Sequence, residues 1–482
     1  MIAFKNSVGE ISHSVTYLIE DQLRFAQLSG DFNPIHIDHV TSRRELFGEI
    51  VVHGIHLVLE ALNLVVEYSA KDEPICLHSV KVKFFNPAFI SKLLKFTINN
   101  SQHYLKVEVR DQKGLLLAEM AIEVGLIPVT VDNKFIALES FDATIADNHS
   151  LYSISSISGD CKLYLNEALF NALFPCLLKR GSGVQLAELL AMTRIVGMKC
   201  PGLQSLFSGI DLKFEQNRKE SVLYQVKKVI EKFSIITLQV EGPSLYGELL
   251  TLFRPLKSQQ PSIEEVAVQI TSGCFRNLKA LIVGGSRGIG ETTAKLIAAG
   301  GGTPIITYHT GKEDAETICK EIRKDGFSCT CVHMSIDNLE ESLDILSEAN
   351  VNAIFYYPSP KILGSNVFDK ELFRKFCYYY VEQFSALIKE VKSRSTGKVV
   401  VFYPSTVYID EKTPGLTEYI MAKGAGEYLC ETLNKELKDI NIYIERLPRL
   451  QTDQTLNMQN YPAQSVSEVM FPILVEINTL LV

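Results

Sequence analysis

Between residues 54 and 68 the chain reads GIHLVLEALNLVVEY, apolar on nearly every side. Such a segment predicts a fully enclosed helix rather than an amphipathic surface one. The pattern then changes period. Residues 78–85 (HSVKVKFF), 91–99 (SKLLKFTIN), 103–110 (HYLKVEVR) and 115–125 (LLLAEMAIEVG) carry strand-like patterns with turn signals between them. One enclosed helix followed by four strands predicts an antiparallel sheet wrapped around that helix.

The same pattern recurs further along. Sliding the chain against itself by 129 positions sets Ser29-Gly30-Asp31 on Ser158-Gly159-Asp160, Gly54 on Gly183, LLKFT at 93–97 on VLYQV at 222–226, and Glu119 on Glu248. Four matches at one offset and in order predict a second, diverged copy of the unit. The expected divisions are residues 1–128 and 129–256, a linker over 257–276 that mixes Pro, Gln and Ser, and a third domain over 277–482.

That third domain opens on a strand, KALIVGG, running into GGSRGIG, a helix, ETTAKLIAAGG, and a second strand, TPIITYH. A glycine turn between strand and helix is the setting in which backbone N–H groups and a helix N-terminus receive a dinucleotide phosphate.

Composition narrows the function. A chain of 482 residues is too long for one ordinary core, and 46% hydrophobic with 22% charged residues is the balance of a globular protein. The formal charge of −8, with no Lys/Arg cluster, argues against nucleic acid as a partner. The ten cysteines are scattered; the closest pair, Cys329 and Cys331, lacks the partner spacing of a zinc site, and no metal is expected. The first residues, MIAFKNSVGE, do not read as a signal peptide, and VMFPILVEINTLLV is interrupted by Pro472, Glu476 and Asn478 and reads as core. A cytoplasmic protein with no membrane partner is expected.

The candidate chemistry lies in two places. In LSGDFNPIH, Asp31 and His36 are separated by an Asn33-Pro34 step that prevents them from sharing a regular helical face but lets them converge from a loop. A carboxylate beside an imidazole is an acid/base pair for work near neutral pH. The string LSGDFNPIH followed by FGEIVVHGIHLVLEAL resembles the MaoC-like, (R)-specific enoyl-CoA hydratase family over roughly residues 8–126. The resemblance implies a hot-dog fold, Asp31 and His36 acting on one water, and Gly54 opening the central helix with its N–H towards a thioester carbonyl. In the second copy Leu165 stands opposite His36, so the resemblance implies a double hot-dog in which copy one holds the catalytic loop and copy two completes the sheet. Asp160 acting alone as a base is the alternative.

The second place joins the glycine turn to Ser405 in VVVFYPST and to Tyr419 and Lys423 in YIMAK, where i and i+4 share a helix face. There an ammonium lowers a tyrosine pKa, which makes Tyr419 a usable acid for a ketone oxygen accepting hydride, and Ser405 donates a hydrogen bond to that oxygen. Residues 278 to about 460 resemble the short-chain dehydrogenase/reductase family, particularly its β-ketoacyl thioester reductases. By that resemblance Gly284, Ser286, Arg287, Gly288, Ile289 and Gly290 line the cofactor phosphates, and Lys423, beside Tyr419, holds the nicotinamide ribose. Tyr308-His309-Thr310 offers no acid for a ribose 2′-hydroxyl, whereas Arg287 can pair with a 2′-phosphate, so NADP(H) is expected over NAD(H). Several positions depart from the family: Val283, Tyr357-Pro358-Ser359, the absence of Asn near Cys377 to Tyr380, Pro448-Arg449, and an ending at LLV short of the usual final strand.

The expected fold class is therefore α+β tandem hot-dog domains followed by an α/β Rossmann-type, doubly wound parallel-sheet domain. The expected function is a bifunctional enzyme acting on acyl-CoA or acyl-carrier-protein thioesters, reducing a 3-oxoacyl group and reversibly dehydrating the (3R)-hydroxy product, as a homo-oligomer. Two alternatives stay open: a hydratase with a non-catalytic third domain, and a non-enzymatic thioester-binding module.

Overall fold

The computed structural model describes residues 10–481 except 71–72, 102–103, 126–135, 138–140, 143, 218, 340–348, 363, 365–366, 396 and 459–460. The chain forms two compact units, Met1–Leu256 and Lys257–Val482. The expected boundary at 128/129 lies outside the described residues.

The first unit begins with β1 (Glu10–Thr16), α1 (Ile19–Ser29), two short helices, α2 (Pro34–Ile37) and α3 (His39–Ser42), and the long α4 (Gly54–Tyr68). Strands β2 (Cys76–Phe84), β3 (Leu93–Asn100), β4 (Leu105–Asp111) and β5 (Leu116–Gly125) follow. After a two-residue β6 (Ile136–Ala137) come β7 (Ser158–Cys161), β8 (Leu163–Tyr164), α5 (Glu167–Leu173) and α6 (Gly183–Arg194). The unit ends with β9 (Ser205–Phe214), β10 (Val222–Ile230), β11 (Ile235–Glu241) and β12 (Leu245–Phe253).

Ten of these strands make one antiparallel sheet in the order β1-β3-β4-β5-β2-β9-β12-β11-β10-β7, which reads the same from either edge. Its centre is the β2/β9 pair, with Lys81 opposite Asp211 and Val82 opposite Ile210. Alternating residues such as Phe96 and Ile98 on β3, and Val107 and Val109 on β4, turn inward and join α4 and α6 in a single hydrophobic core. The apolar character of residues 54–68 thus follows from enclosure: eleven residues of α4 are buried. The pairs α4/α6, β2/β9, β3/β10 and β5/β12 each start 129 positions apart, as the repeat predicts.

One of the four matches is not structural. Ser29-Gly30-Asp31 closes α1, with Gly30 at a left-handed φ of 77°, whereas Ser158-Gly159-Asp160 forms edge strand β7, with Asp160 opposite Leu223. Gly159 is glycine because the Tyr224 hydroxyl lies 2.6 Å from where its Cβ would be. In the second half the stretch corresponding to residues 30–53 is the shorter 174–182, between α5 and α6.

The second unit is a six-stranded, wholly parallel sheet in the order β15-β14-β13-β16-β17-β18. Its elements are α7 (Ile263–Ala267), β13 (Lys279–Val283), α8 (Gly288–Ala299), β14 (Thr303–Tyr308), α9 (Lys312–Lys324), β15 (Thr330–His333) and β16 (Ala353–Tyr356). Beyond these lie α10 (Lys370–Cys377), α11 (Gln383–Arg394), β17 (Val399–Thr406), α12 (Tyr408–Glu411), α13 (Thr417–Glu436), β18 (Ile440–Leu447) and α14 (Val466–Thr479). Ala280 and Ile282 face one core with α8 and α14, while Leu281 and Val283 face another with α11 and α13, so helices cover both faces. Residues 257–276 are not a free linker: Ile263, Val266 and Phe275 are buried in the first of these cores. No helix among the described residues is long and apolar enough to cross a membrane.

Candidate active sites

In the first unit the Asn-Pro step makes a tight turn. Asn33 is extended, its side-chain oxygen accepts the Ile35 N–H at 3.3 Å, and Pro34 begins α2, where a missing N–H costs nothing. This turn presents Asp31, which is 1% exposed, and the partly buried His36. His36 Nδ1 lies 2.7 Å from the Val51 carbonyl, which only accepts, so Nδ1 carries the proton and Nε2 is a bare lone pair. The His53 ring stacks on His36 at 3.9 Å, and its Nε2 lies 4.0 Å from Asp31 Oδ2. His53 is also the residue before Gly54, where α4 starts without a side-chain cap and leaves N–H groups unpaired at its positive end. The Phe84 ring packs closely over Gly54, its tip 2.8 Å from where a Cβ would be.

The second half of the sheet holds this loop in place. Thr193, near the end of α6, donates to Asp31 Oδ2 at 2.6 Å, and the Asn33 N–H donates to Oδ1 at 3.2 Å. The Asn33 amide donates to the Gly197 carbonyl at 3.0 Å, and a Cβ on Gly197 would sit 2.2 Å from Asp31 Oδ1. Arg254, just after β12, pairs with Glu45 at 2.9 Å in the interior. Burial pushes the Asp31 carboxyl up to about 6, against the Thr193 and Asn33 hydrogen bonds and the nearby Arg194 charge. Burial, with Arg254 adding to it, pulls His36 down to about 4 despite its bond to Val51. At neutral pH the pair is an ionised carboxylate and a neutral imidazole, both acceptors facing one small site.

In the second unit Gly284 and Gly288 take φ of 79° and 56°, conformations that favour glycine, and the Gly284 carbonyl lies 2.5 Å from where a Cβ on Gly290 would stand. The turn is thus a cradle that side chains would fill, at the mouth of α8. Arg287 caps it, 3.9 Å from Asp453, while Ser286 is 9% exposed and Ile289 packs against the core. On α13, Tyr419 and Lys423 are both buried. The Lys423 ammonium donates to the Pro404 carbonyl at 2.6 Å and lies 4.0 Å from the centre of the Tyr380 ring.

A family model described as a MaoC-like domain matches residues 6–117, and one described as short chain dehydrogenase matches residues 278–353. The chain carries a MaoC-like domain and, further along, a short-chain dehydrogenase domain. Among curated proteins it is similar to elsinochrome reductase 1 of Elsinoe fawcettii, 24% identical over 176 residues; these are 34% of this chain and 64% of the length of that relative. Among solved structures it is similar to a short chain dehydrogenase from Burkholderia cenocepacia J2315 in complex with NADP (17% identity, 42% of this chain and 92% of that one, TM-score 0.38). It is also similar to FolM alternative dihydrofolate reductase 1 from Brucella suis in complex with NADP (18% identity, 42% and 88%, TM-score 0.35).

Two expectations for the dehydrogenase domain need correction. Ser405 does not meet Tyr419: its hydroxyl donates to Glu427, two turns further along α13, itself held by Arg446 at 2.6 Å. Its neighbour Thr406 makes the hydrogen bond to Tyr419. The Tyr419 hydroxyl is also not lowered: burial raises it above its ordinary value, against the Thr406 hydrogen bond. Burial pulls Lys423 down to about 7. Tyr380 stands where the sequence lacks the expected Asn, and its ring takes up the ammonium instead.

In the MaoC-like domain the structure brings Asp31, His36 and the start of α4 at Gly54 together. Sequence reasoning missed Thr193, Gly197 and Arg254, whose roles arise only when the two halves pack. His53 was within reach, since it directly precedes the glycine that opens the enclosed helix.

Proposed function

We propose that the first unit is a tandem hot-dog and acts as an (R)-specific enoyl thioester hydratase/dehydratase. The observation that carries this reading is the convergence of the Asp31 carboxylate and the His36 ring beside the uncapped N-terminus of α4. With neither group protonated, a water between them supplies the only proton. One of the pair accepts that proton as the water oxygen bonds to C3 of a 2-enoyl thioester, and the proton then passes to C2. The negative charge that develops on the thioester oxygen is met by the N–H of Gly54 at the positive end of α4. Dehydration of a (3R)-hydroxyacyl thioester runs through the same groups in reverse.

The second unit, on the same proposal, reduces the matching 3-oxoacyl thioester. The glycine cradle at 284–290 fits a dinucleotide pyrophosphate, and Arg287, with no acid at 308–310, favours a 2′-phosphate and hence NADP(H). The cofactor supplies the hydride when bound. Tyr419 gives its proton to the ketone oxygen, with Thr406 as the hydroxyl beside it and Lys423 to hold the ribose. The substrate is an acyl-CoA or acyl-carrier-protein thioester. The hold that Tyr380 and Pro404 keep on Lys423 favours a second reading, a hydratase whose dehydrogenase domain does not turn over.

Incubation with a short 3-oxoacyl-CoA and NADPH, followed by mass spectrometry, tests both. The expected product is reduced and then dehydrated, with Tyr419→Phe and Thr406→Val stopping the first step and Asp31→Asn the second. Hydration of an added enoyl-CoA without any reduction would leave the second reading standing.

A further inference from the structure

Three of the ten cysteines meet in the second unit, away from both sites described above. Cys319 lies on the buried stripe of α9, with Ala315, Ile318 and Ile322, and Cys329 stands just before β15. Their sulfurs are 3.1 Å apart, and both side chains are enclosed in the core that α8 and α14 share, at 1% and 2% exposure. A disulfide of about 2.05 Å needs the two sulfurs to approach by only about 1 Å. Cys331, two residues further along on β15, hydrogen-bonds to Cys319 as well. It is the partly exposed member of the three. Cys319 is therefore a hub between an enclosed thiol and one that a solute can reach.

The surroundings set how fast such thiols react. Arg323 donates from Nε to the Cys329 carbonyl at 2.7 Å, which holds its guanidinium beside the cluster. The hydrogen bond to Cys329 and burial raise the Cys319 thiol, and burial, with Glu316 adding to it, pushes Cys331 up to about 11; the Arg323 charge pulls both the other way. Exchange is thus slow at neutral pH, since only thiolates attack. It begins at Cys331, where a reagent finds access.

We propose that Cys319 and Cys329 form a reversible disulfide, and that Cys331 is the thiol through which a small-molecule disulfide oxidises them. The Cys331 thiolate attacks one sulfur of the reagent, forming a mixed disulfide and releasing the first reagent thiol. Cys319 then attacks the Cys331 sulfur and releases the second, and Cys329 attacks Cys319 and releases Cys331. In total two protein thiols lose two electrons and two protons to become one disulfide, and the reagent takes both up to become two thiols. The bond ties α9 to the start of β15, which is an edge strand of the parallel sheet. It is enclosed, so a reducing thiol reaches it by the reverse route through Cys331. The site is independent of the hydratase and reductase functions proposed above.

The test uses the full chain, fully reduced, with oxidised glutathione as the reagent at about pH 8.5, where thiolates are more populated. Samples are quenched with acid, alkylated and mapped by mass spectrometry. The peptides holding Cys319 and Cys329 should become joined, with Cys331 alkylated, and reduced glutathione should return both thiols. Cys331→Ser should form the same bond about tenfold or more slowly, and Cys329→Ser should stop at a bond between Cys319 and Cys331. The corresponding alanine variants serve as a second set, each verified as folded by circular dichroism. Cys319 that stays alkylatable in the folded wild-type chain while other thiols are oxidised would overturn the site, as would a Cys319–Cys329 bond that forms only in urea. An unchanged rate in the folded Cys331 variants would overturn the role of Cys331.

Discussion

The two halves of the first unit share a sheet order and a central helix, and differ in what joins the first helix of each half to the central one. In the first half that connection is residues 30–53 and carries Asp31, His36 and His53; in the second it is residues 174–182 and carries none of these residue types. The second half has not simply lost one side chain from a preserved loop, because the loop itself is shorter. Its own α6 extends through a π-helical turn at Ile195–Lys199, and there Thr193 and Gly197 close over the carboxylate of the other half. The sheet order and central helix are common to both halves, while the Asp31, His36 and His53 cluster belongs to one half and is held in place by the other.

Replacing the chemistry outright should have the largest effect. Asp31→Asn should lower hydration by about 10²-fold or more, read as kcat/KM on a short enoyl-CoA. It should also change the pH dependence of stability. Because burial raises the carboxyl from 3.8 to about 6, the folded wild-type chain loses stability as pH rises through that window. The neutral Asn side chain removes that loss, so the midpoint of thermal unfolding should fall less between about pH 4 and pH 7 in the variant. Equal activity in the two proteins would break the assignment of chemistry to the first half.

Next comes the support from the second half. Gly197→Ala puts a methyl 2.2 Å from Asp31 Oδ1, and as the neighbouring backbone is held by Asn33 the carboxylate has to move. A loss of about tenfold or more in turnover is expected, with the fold kept, as judged by circular dichroism. Undiminished turnover would mean that the π-helical turn does not position the acid. Thr193→Val acts more gently. Its hydroxyl donates to the ionised carboxylate and so opposes the effect of burial; a hydrogen bond to a charged group is worth about 1.5–3 kcal/mol, or about one to two pH units. On the proposed function Asp31 acts ionised, so the wild-type hydration rate is expected to fall below about pH 6 and the acid limb of the variant to move to higher pH.

The sequence made much of this legible for definite reasons. The enclosed helix at 54–68 was readable because enclosure demands apolar residues on all sides, and the repeat because strand and helix starts stayed in step. The Asp31/His36 pair was readable because Pro34 restricts the local backbone. The Ser405/Thr406 choice was not read correctly, because adjacent hydroxyls at the end of β17 meet two residues of the same helix, Glu427 and Tyr419, and the sequence does not say which meets which. Thr193, Gly197 and Arg254 were beyond reach, because their partners lie more than a hundred positions away and no local pattern marks them.

The smallest effect expected is none at all, at Asp160. By the offset of 129 this residue falls on Asp31, and a shared ancestry of function would leave it some role as a base. Its surroundings argue otherwise. Asp160 lies on edge strand β7 with its side chain exposed, opposite Leu223, while Asp31 is enclosed and held by Thr193 and Asn33. An exposed carboxylate keeps its water and gains nothing from a low-dielectric site, so it lacks the enclosed, fixed geometry of a general base. Asp160→Asn should therefore leave kcat/KM for hydration, and the position of its acid limb, unchanged within error. A loss approaching that of Asp31→Asn would mean that the edge strand takes part in the chemistry, and the division of labour between the halves would have to be redrawn.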